Sequence, residues 1–469
     1  MIIPKLIQVA IREFRHKMAE FGENLDTKRL TSELAGQVST ALKDALTAAG
    51  AAALQAFVQS YNPADPVWEV HGRRLRWKMI SPKEFLTCFG PMRIERSLYQ
   101  ADAGGDGYVP LDDLWDMAGE FATTEVREAV LFSVAHVTPQ ETEQLLEKCA
   151  LFHPSATAIK HIVKPVGDFI EARGEDLDSA IRAEEKIPDG TRVMAASLDG
   201  VNVRLDEPGV KRGRPVERPG LDSSSAPATS YKNAMVGSIS FYGEVPKGQE
   251  CPKRLLSRYV ARMPEPESPT FKEQFEAELA AMEARLDPRI IKILLLDGHR
   301  TLWNYAEGTD RFADYEKLID YYHTTEHLSK AAEALFGKGR RRGAVWYDTY
   351  RVKLLEKDDA PAAILRSLDY YGQRQRLGKT RREALTQERT FFHRNQERMR
   401  YASFRRRGLP IGNGPVEAAC KTIVKTRLGR SGMRWSRVGG QRILSLRTYV
   451  KSQRWDRFWH HYLRLRQSA

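Results

Sequence analysis

Two apolar runs in this chain end in the same dipeptide. Val193-Met194-Ala195-Ala196-Ser197-Leu198 leads into Asp199-Gly200, and Ile290-Ile291-Lys292-Ile293-Leu294-Leu295-Leu296 leads into Asp297-Gly298. A buried strand that ends on a carboxylate delivers it to the rim of a sheet, where ligands collect in α/β folds. One Asp-Gly after a strand is commonly just a turn, because both residues suit tight reversals. Two of them, each ending a buried strand, point to a shared site.

A third carboxylate stands in Gly408-Leu409-Pro410-Ile411-Gly412-Asn413-Gly414-Pro415-Val416-Glu417-Ala418-Ala419-Cys420-Lys421. Pro415 suits the first turn of a helix, with Asn413 or Gly414 as its cap. Val416, Ala419, Cys420, Ile423 and Val424 then recur at helical spacing and form a buried stripe. Glu417, Lys421 and Lys425 form a second stripe beside it. As a surface Glu–Lys ladder this adds only roughly 0.2–0.5 kcal/mol per pair. Its other reading is a carboxylate at the border of the core, with cations beyond it that follow a phosphate backbone. A competing motif, His323-Thr324-Thr325-Glu326-His327, fits the His-x-x-Glu-His pattern of zinc hydrolases, with Glu326 as general base. Nothing downstream marks a third zinc ligand.

The elements that must hold these groups follow from periodicity. Residues 193–198 form a buried strand, Asp199-Gly200 a turn, and residues 201–205 a strand that pairs back on the first. Residues 206–230, rich in Pro, Gly, Ser and Arg, read as a mobile loop. A third strand over 234–241, a helix over 271–286 and the buried strand ending at Asp297 complete an α/β layer with a mixed sheet. Residues 315–319 are ambiguous between helix and strand.

Upstream, residues 2–61 are helical, 67–99 alternate as a small antiparallel ribbon, and Ala103-Gly104-Gly105-Asp106-Gly107 is a loop. Pro139–Cys149 is one short helix and Ser155 caps the next, which carries Lys160, His161 and Lys164. That pair is helix-turn-helix-like, with a basic second helix able to enter DNA. Downstream, residues 337–400 are helical and basic. The expected divisions are 1–61, 62–115, 116–186, 187–336, 337–400, 401–435 and a basic C-terminal helix over 436–469.

Lys and Arg number 74 against 61 Asp and Glu, a net charge of +13, which favours a polyanionic partner over a neutral metabolite. The excess gathers beyond Lys338, in runs such as Arg340-Arg341-Arg342 and Arg405-Arg406-Arg407. Cys88, Cys149, Cys251 and Cys420 are far apart in sequence, which excludes a Cys-x-x-Cys zinc ribbon and favours a reducing compartment. The N-terminus lacks the apolar core of a secretion signal, and no apolar run is long enough to span a membrane. The expected location is the cytoplasm.

Four segments together carry a family resemblance: Ser197-Leu198-Asp199-Gly200, Leu296-Asp297-Gly298, Asp320-Tyr321-Tyr322-His323-Thr324-Thr325-Glu326-His327-Leu328 and the Glu417 segment. They resemble bacterial insertion-sequence transposases of the Kra type, distant relatives of Mutator-like elements, from about residue 65 onward. Ser431-Gly432-Met433-Arg434-Trp435 and Arg454-Trp455-Asp456-Arg457-Phe458-Trp459 match the same pattern.

The resemblance implies a ribonuclease-H-like catalytic domain with a helical insertion before Glu417. Asp199, Asp297 and Glu417 would be a DDE triad binding two Mg²⁺ or Mn²⁺ ions. The activity would be cleavage of double-stranded DNA at terminal inverted repeats and transfer of the 3′-OH ends to target DNA. Lys421, Lys425, Arg427, Arg430 and Arg434, with Lys160 and Lys164, would contact DNA. Asp320 and His323 would support the site, and a homodimer or larger assembly would form on DNA. Relatives carry paired cysteines where Tyr99-Gln100-Ala101-Asp102-Ala103-Gly104-Gly105 stands here, so the element that reads the repeats differs. The alternatives are a ribonuclease-H-like nuclease, a domesticated DNA-binding relative, and a zinc hydrolase using His323 and His327.

Overall fold

Helical and alternating periodicities follow one another along the chain and resolve into two compact units, Met1–Phe169 with Leu463–Ala469, and Ile170–Tyr462. The structure is a computed structural model that describes residues 2–23, 29–70, 72–150, 152–206 and 231–467. The loop expected over 206–230 lies outside the described residues except for Asp206.

In the first unit, α1 (Ile3–Gly22) and α2 (Ser32–Gln59) form a helical pair, α2 starting where Thr31 accepts from the Leu34 N–H. Three antiparallel strands follow in the order β1 (Val67–Val70), β2 (Arg73–Thr87), β3 (Gly90–Gln100). β2 outruns its alternating stretch and continues through Pro82. There β1 has already ended and β2 has one neighbour only, the setting in which a strand tolerates proline. Beyond α3 (Pro110–Leu114) and α4 (Thr124–His136), α5 occupies Pro139–Cys149. Its start is a reciprocal capping box between Thr138 and Glu141. α6 (Ala156–Ala183) is capped by Ser155 Oγ, which accepts from the Ala158 N–H at 3.2 Å.

The second unit is built on a five-stranded sheet. β4 (Val193–Arg204), β5 (Tyr231–Tyr242) and β6 (Arg254–Arg262) are antiparallel, and β7 (Ile291–Leu296) and β8 (Glu316–Ile319) run parallel to β4, in the order β6-β5-β4-β7-β8. α7 (Pro269–Glu283) connects β6 to β7, and α8 (Arg300–Glu307) connects β7 to β8. Gly237 of β5 is where α7 comes closest: a Cβ there would sit 2.4 Å from the Phe275 ring.

The sequence-based hairpin at Asp199-Gly200 is not formed. β4 runs straight through, with Asp199 opposite Val236 and Gly200 opposite Met235. Val201 and Val203 are as buried as the residues before Asp199, so the strand continues its contact with the core. Its antiparallel partner is β5, which was expected only over 234–241 and as the third strand. β6, an edge strand with Arg254, Arg258 and Arg262, was not expected, because its charges mask the alternation. The ambiguous stretch before Asp320 is a strand, with Leu318 and Ile319 fully buried.

After α9 (Tyr321–Phe336), three helices occupy the basic stretch, α10 (Arg341–Glu356), α11 (Ala360–Arg374) and α12 (Lys379–Asn395), followed by α13 (Tyr401–Arg406). α14 (Gly414–Ala419) passes into a π-helical turn, Cys420–Lys425, and ends in α15 (Thr426–Leu428). The single basic C-terminal helix expected over 436–469 is instead two, α16 (Arg437–Lys451) and α17 (Trp455–Gln467), parted at Gln453, whose φ is 56°. α16 is no solvated arm. Ile443, Leu444 and Leu446 are buried, Gln441 accepts from the Met263 N–H, and Ser452, just past its end, accepts from the Tyr259 N–H of β6. The helix covers an otherwise open sheet edge. No described helix is long and apolar enough to cross a membrane.

Candidate active site

Strand alternation sets the direction of Asp199. Leu198 pairs with Gly237, whose Cβ direction meets Phe275 of α7, so Asp199, one residue on, faces the opposite side of the sheet. There the Cys420 thiol donates to its Oδ2 at 3.4 Å, and the Gly200 N–H donates to Oδ1 at 2.7 Å. Burial raises the Asp199 carboxyl above the usual range, opposed by those two donors and reinforced by the negative charges of Asp297 and Glu417. Asp297 and Glu417 therefore both lie within electrostatic reach of Asp199.

Asp297 follows β7 directly. Its Oδ1 accepts from the His299 N–H at 2.8 Å and its carbonyl accepts from Trp303 Nε1 at 2.7 Å, which fixes the turn into α8. Gly298 is obligatory for space: a Cβ would lie 2.5 Å from Phe391 and 3.1 Å from His323 Nε2. Glu417 is exposed in the first turn of α14, while Val416, Ala419, Cys420, Ile423 and Val424 are all buried.

Asp320 ties the Glu417 segment to the sheet. It ends β8, is fully buried, and caps α9 by accepting from the His323 N–H at 2.6 Å. Its other oxygen accepts from the Asn413 N–H, also at 2.6 Å. With the Asn413 amide nitrogen turned toward the carboxylates, it donates to Asp320 at 3.0 Å and to Glu417 Oε1 at 2.7 Å. The Tyr321 N–H adds a bond to the Ile411 carbonyl. Asn413 was read from sequence only as a cap; its bridge joins residues 93 and four positions away, and only the first is invisible to local pattern.

Burial pushes Asp320 up to about 6, against the N–H donors of His323 and Asn413, with Glu417 adding in the same direction. A carboxyl raised on folding holds its proton more tightly when folded, so its stabilisation is complete below about pH 3.9 and is lost as pH rises through about 6. The expected result is that the thermal midpoint of Asp320→Asn falls less between pH 4 and pH 7 than that of the wild type. Equal slopes in melts of the two proteins would show that Asp320 is not the group responsible.

The imidazoles of the competing motif are engaged with each other and with the core. His323 and His327 meet through their Nε2 atoms at 3.2 Å, His327 Nδ1 contacts the buried Glu388 at 2.6 Å, and its ring stacks on Phe391 at 3.6 Å between centroids. Glu326, the general base of the zinc reading, is exposed and stands 4.0 Å from His323 Nδ1. Among the described residues no three His, Cys, Asp or Glu side chains are grouped closely enough to hold one ion. A three-ligand zinc centre is therefore not assembled at His323 and His327. Glu388, which anchors the pair, lies far downstream and carried no sequence signal.

The basic residues divide. Lys421 and Lys425 are exposed beyond Glu417, Arg434 is exposed, and Arg430 is half-buried with its Nε on the Thr426 carbonyl. Lys160 and Lys164 are exposed on α6 in the first unit, Lys164 paired with Asp168. Arg427 is a correction. It is 1 % exposed, with its guanidinium 5.0 Å from the centre of the Trp435 ring, so it packs the end of this helix and cannot follow a phosphate.

No protein-family model and no curated protein matches the chain. Among solved structures it is similar to the Drosophila P element transposase strand transfer complex, at 10 % identity and a TM-score of 0.25, over 74 % of this chain and 81 % of that one. A likeness that loose decides neither fold nor function.

Proposed function

We propose that the chain is a DDE-type DNA transposase, of the Kra type its motifs resemble, with Asp199, Asp297 and Glu417 as catalytic carboxylates. The observation that supports this reading is that Asp199, turned by strand alternation to the face of the sheet opposite α7, feels the negative charges of both Asp297 at the end of β7 and Glu417 at the start of α14. The strand order, three antiparallel strands continued by two parallel ones, is compatible with a ribonuclease-H-like fold.

Three carboxylates are a hard oxygen donor set, which suits Mg²⁺ or Mn²⁺. Both oxygens of Asp199 have a protein donor, from Gly200 and Cys420, Asp297 accepts from His299 through Oδ1, and the three carboxylates are not grouped around a single point. Asp199, Asp297 and Glu417 are the residues that would hold the two ions. Mg²⁺ or Mn²⁺ bound there supplies Lewis-acid stabilisation of an in-line phosphoryl transfer. The residues of the chain hold the carboxylates in place: Cys420 and Gly200 orient Asp199, His299 orients Asp297, and Asn413 with Asp320 orients Glu417. Terminal repeats and target DNA are the substrates, and joining paired ends calls for at least a homodimer on DNA.

The test offers purified protein and Mg²⁺ a linear duplex of the DNA flanking its coding sequence, with a circular plasmid as target. Cut 3′ ends joined to the plasmid support the proposal. Cleavage without joining favours a nuclease, and binding without cleavage favours a domesticated relative.

Lys421 and Lys425 set the salt dependence. Losing one phosphate contact lowers the slope of log affinity against log salt by about 0.9. Lys421→Ala and Lys425→Ala are each expected to flatten it by about that amount in anisotropy titrations on a duplex, whereas Arg427→Met leaves the slope alone. A Lys425→Ala slope equal to that of the wild type would remove it from the interface.

A further inference from the structure

Beside the two aspartates the sheet opens into a cleft. β7 pairs with β4 only as far as Leu294 opposite Ala196, and beyond that point the two strands part. The result is a cavity of about 350 Å³, with Asp199 and Asp297 in its wall. Its floor is apolar, formed by Leu198, Met235, Phe271 and Leu302. Its rim carries two groups that can hydrogen-bond a ligand edge: the exposed Asn233, and Lys272, whose ammonium lies 5.1 Å from the centre of the Tyr305 ring. On the same wall Glu267 and Ser268 both hold left-handed backbone, at φ 57° and 54°. Consecutive non-glycine residues in that region are costly, and such strain concentrates at ligand clamps.

Chemistry selects the occupant. The cleft has ample room for a planar ring system the size of a nucleobase. An apolar, aromatic floor suits the base faces, and an amide with an ammonium suits a base edge. A duplex segment is too wide to enter, and a phosphate group would find an apolar floor. We propose that this cleft is a nucleobase site, which takes a base unstacked from the DNA strand next to the scissile phosphate. The proposal rests on the transposase reading for that source; a free nucleotide offers the same chemistry.

Thr301 stands exposed on the wall of the cleft and Asn233 on the rim from β5, so Thr301→Trp and Asn233→Trp each fill it without touching the core. The probes are a single-stranded 12-mer carrying one 2-aminopurine and free 2-aminopurine deoxyriboside monophosphate, both titrated in chelator so that no cleavage occurs. Anisotropy of a dye on the 12-mer reads strand binding independently. The wild type should change 2-aminopurine emission saturably, and either variant should weaken that change about tenfold, within the range for one lost stacked base. A response to the 12-mer alone assigns a DNA-borne base; an equal response to the free nucleotide assigns a soluble one. A silent 2-aminopurine on a strand that binds, or a response kept by both variants, overturns the nucleobase site and leaves the transposase reading standing. If the 12-mer does not bind by anisotropy, the DNA-borne source is overturned, and a free nucleotide that is also silent overturns the nucleobase site itself.

Discussion

Asp199→Asn, Asp297→Asn or Glu417→Gln should each lower metal-dependent DNA cleavage by at least about 1000-fold, a loss of about 4 kcal/mol in transition-state stabilisation. The amide keeps shape and hydrogen bonding but removes the charge that holds a divalent ion. Strand binding in chelator should persist, because Lys421, Lys425 and Arg434 are exposed independently of the carboxylates. The three differ in their second effect. Asp199 is crowded by burial and by Asp297 and Glu417, so Asp199→Asn relieves repulsion and should raise the thermal midpoint in the absence of metal. Glu417 is exposed and should change stability little. Glu417→Gln with wild-type cleavage would remove it from the site, whatever the other two do.

Arg454→Ala should lower the unfolding free energy by about 3–5 kcal/mol, the ordinary consequence of removing one partner from a buried ion pair. Arg454 is 4 % exposed and pairs with Glu185 and Glu278, both buried. Arg258 shares Glu185 at 2.7 Å, and Arg182 approaches Glu278 at 3.6 Å. The network ties α6, β6, α7 and the start of α17 together behind the sheet. Losing Arg454 leaves Glu278 with Arg182 at 3.6 Å, and Glu185 with Arg258 and the more distant Arg457, in a low-dielectric setting. Arg454→Ala combined with Glu278→Gln should recover part of the loss, since one orphaned charge is then gone. Chemical denaturation of the three proteins tests this, and equal destabilisation of the single and double variants would mean that packing, not charge, sets the effect.

Local pattern carried much of the second unit. The apolar runs before Asp199 and Asp297 are strands, and the stripe from Val416 to Val424 is buried as its spacing requires. Pattern failed where a residue's neighbour is distant in sequence. Asp199-Gly200 has the composition of a turn, yet β5, reached only after residues 207–230, pairs across it and keeps it extended. Arg427 was expected to contact DNA and Arg454 stood only within a family motif, because nothing local shows Trp435 beside one or Glu185 and Glu278 around the other.

What the sequence determined by itself is the inventory of the site: which carboxylates end apolar strands, which one opens an amphipathic helix, and that lysines follow it. Those properties depend on residues a few positions apart, and helix and strand periods are local. Only the tertiary structure decided what each carboxylate meets. It placed Asp199 within a strand, linked Asp320 to Glu417 through Asn413, and closed His327 against Glu388. Such contacts join segments tens to hundreds of residues apart, and they exist because sheet register and helix packing bring those segments to the same place.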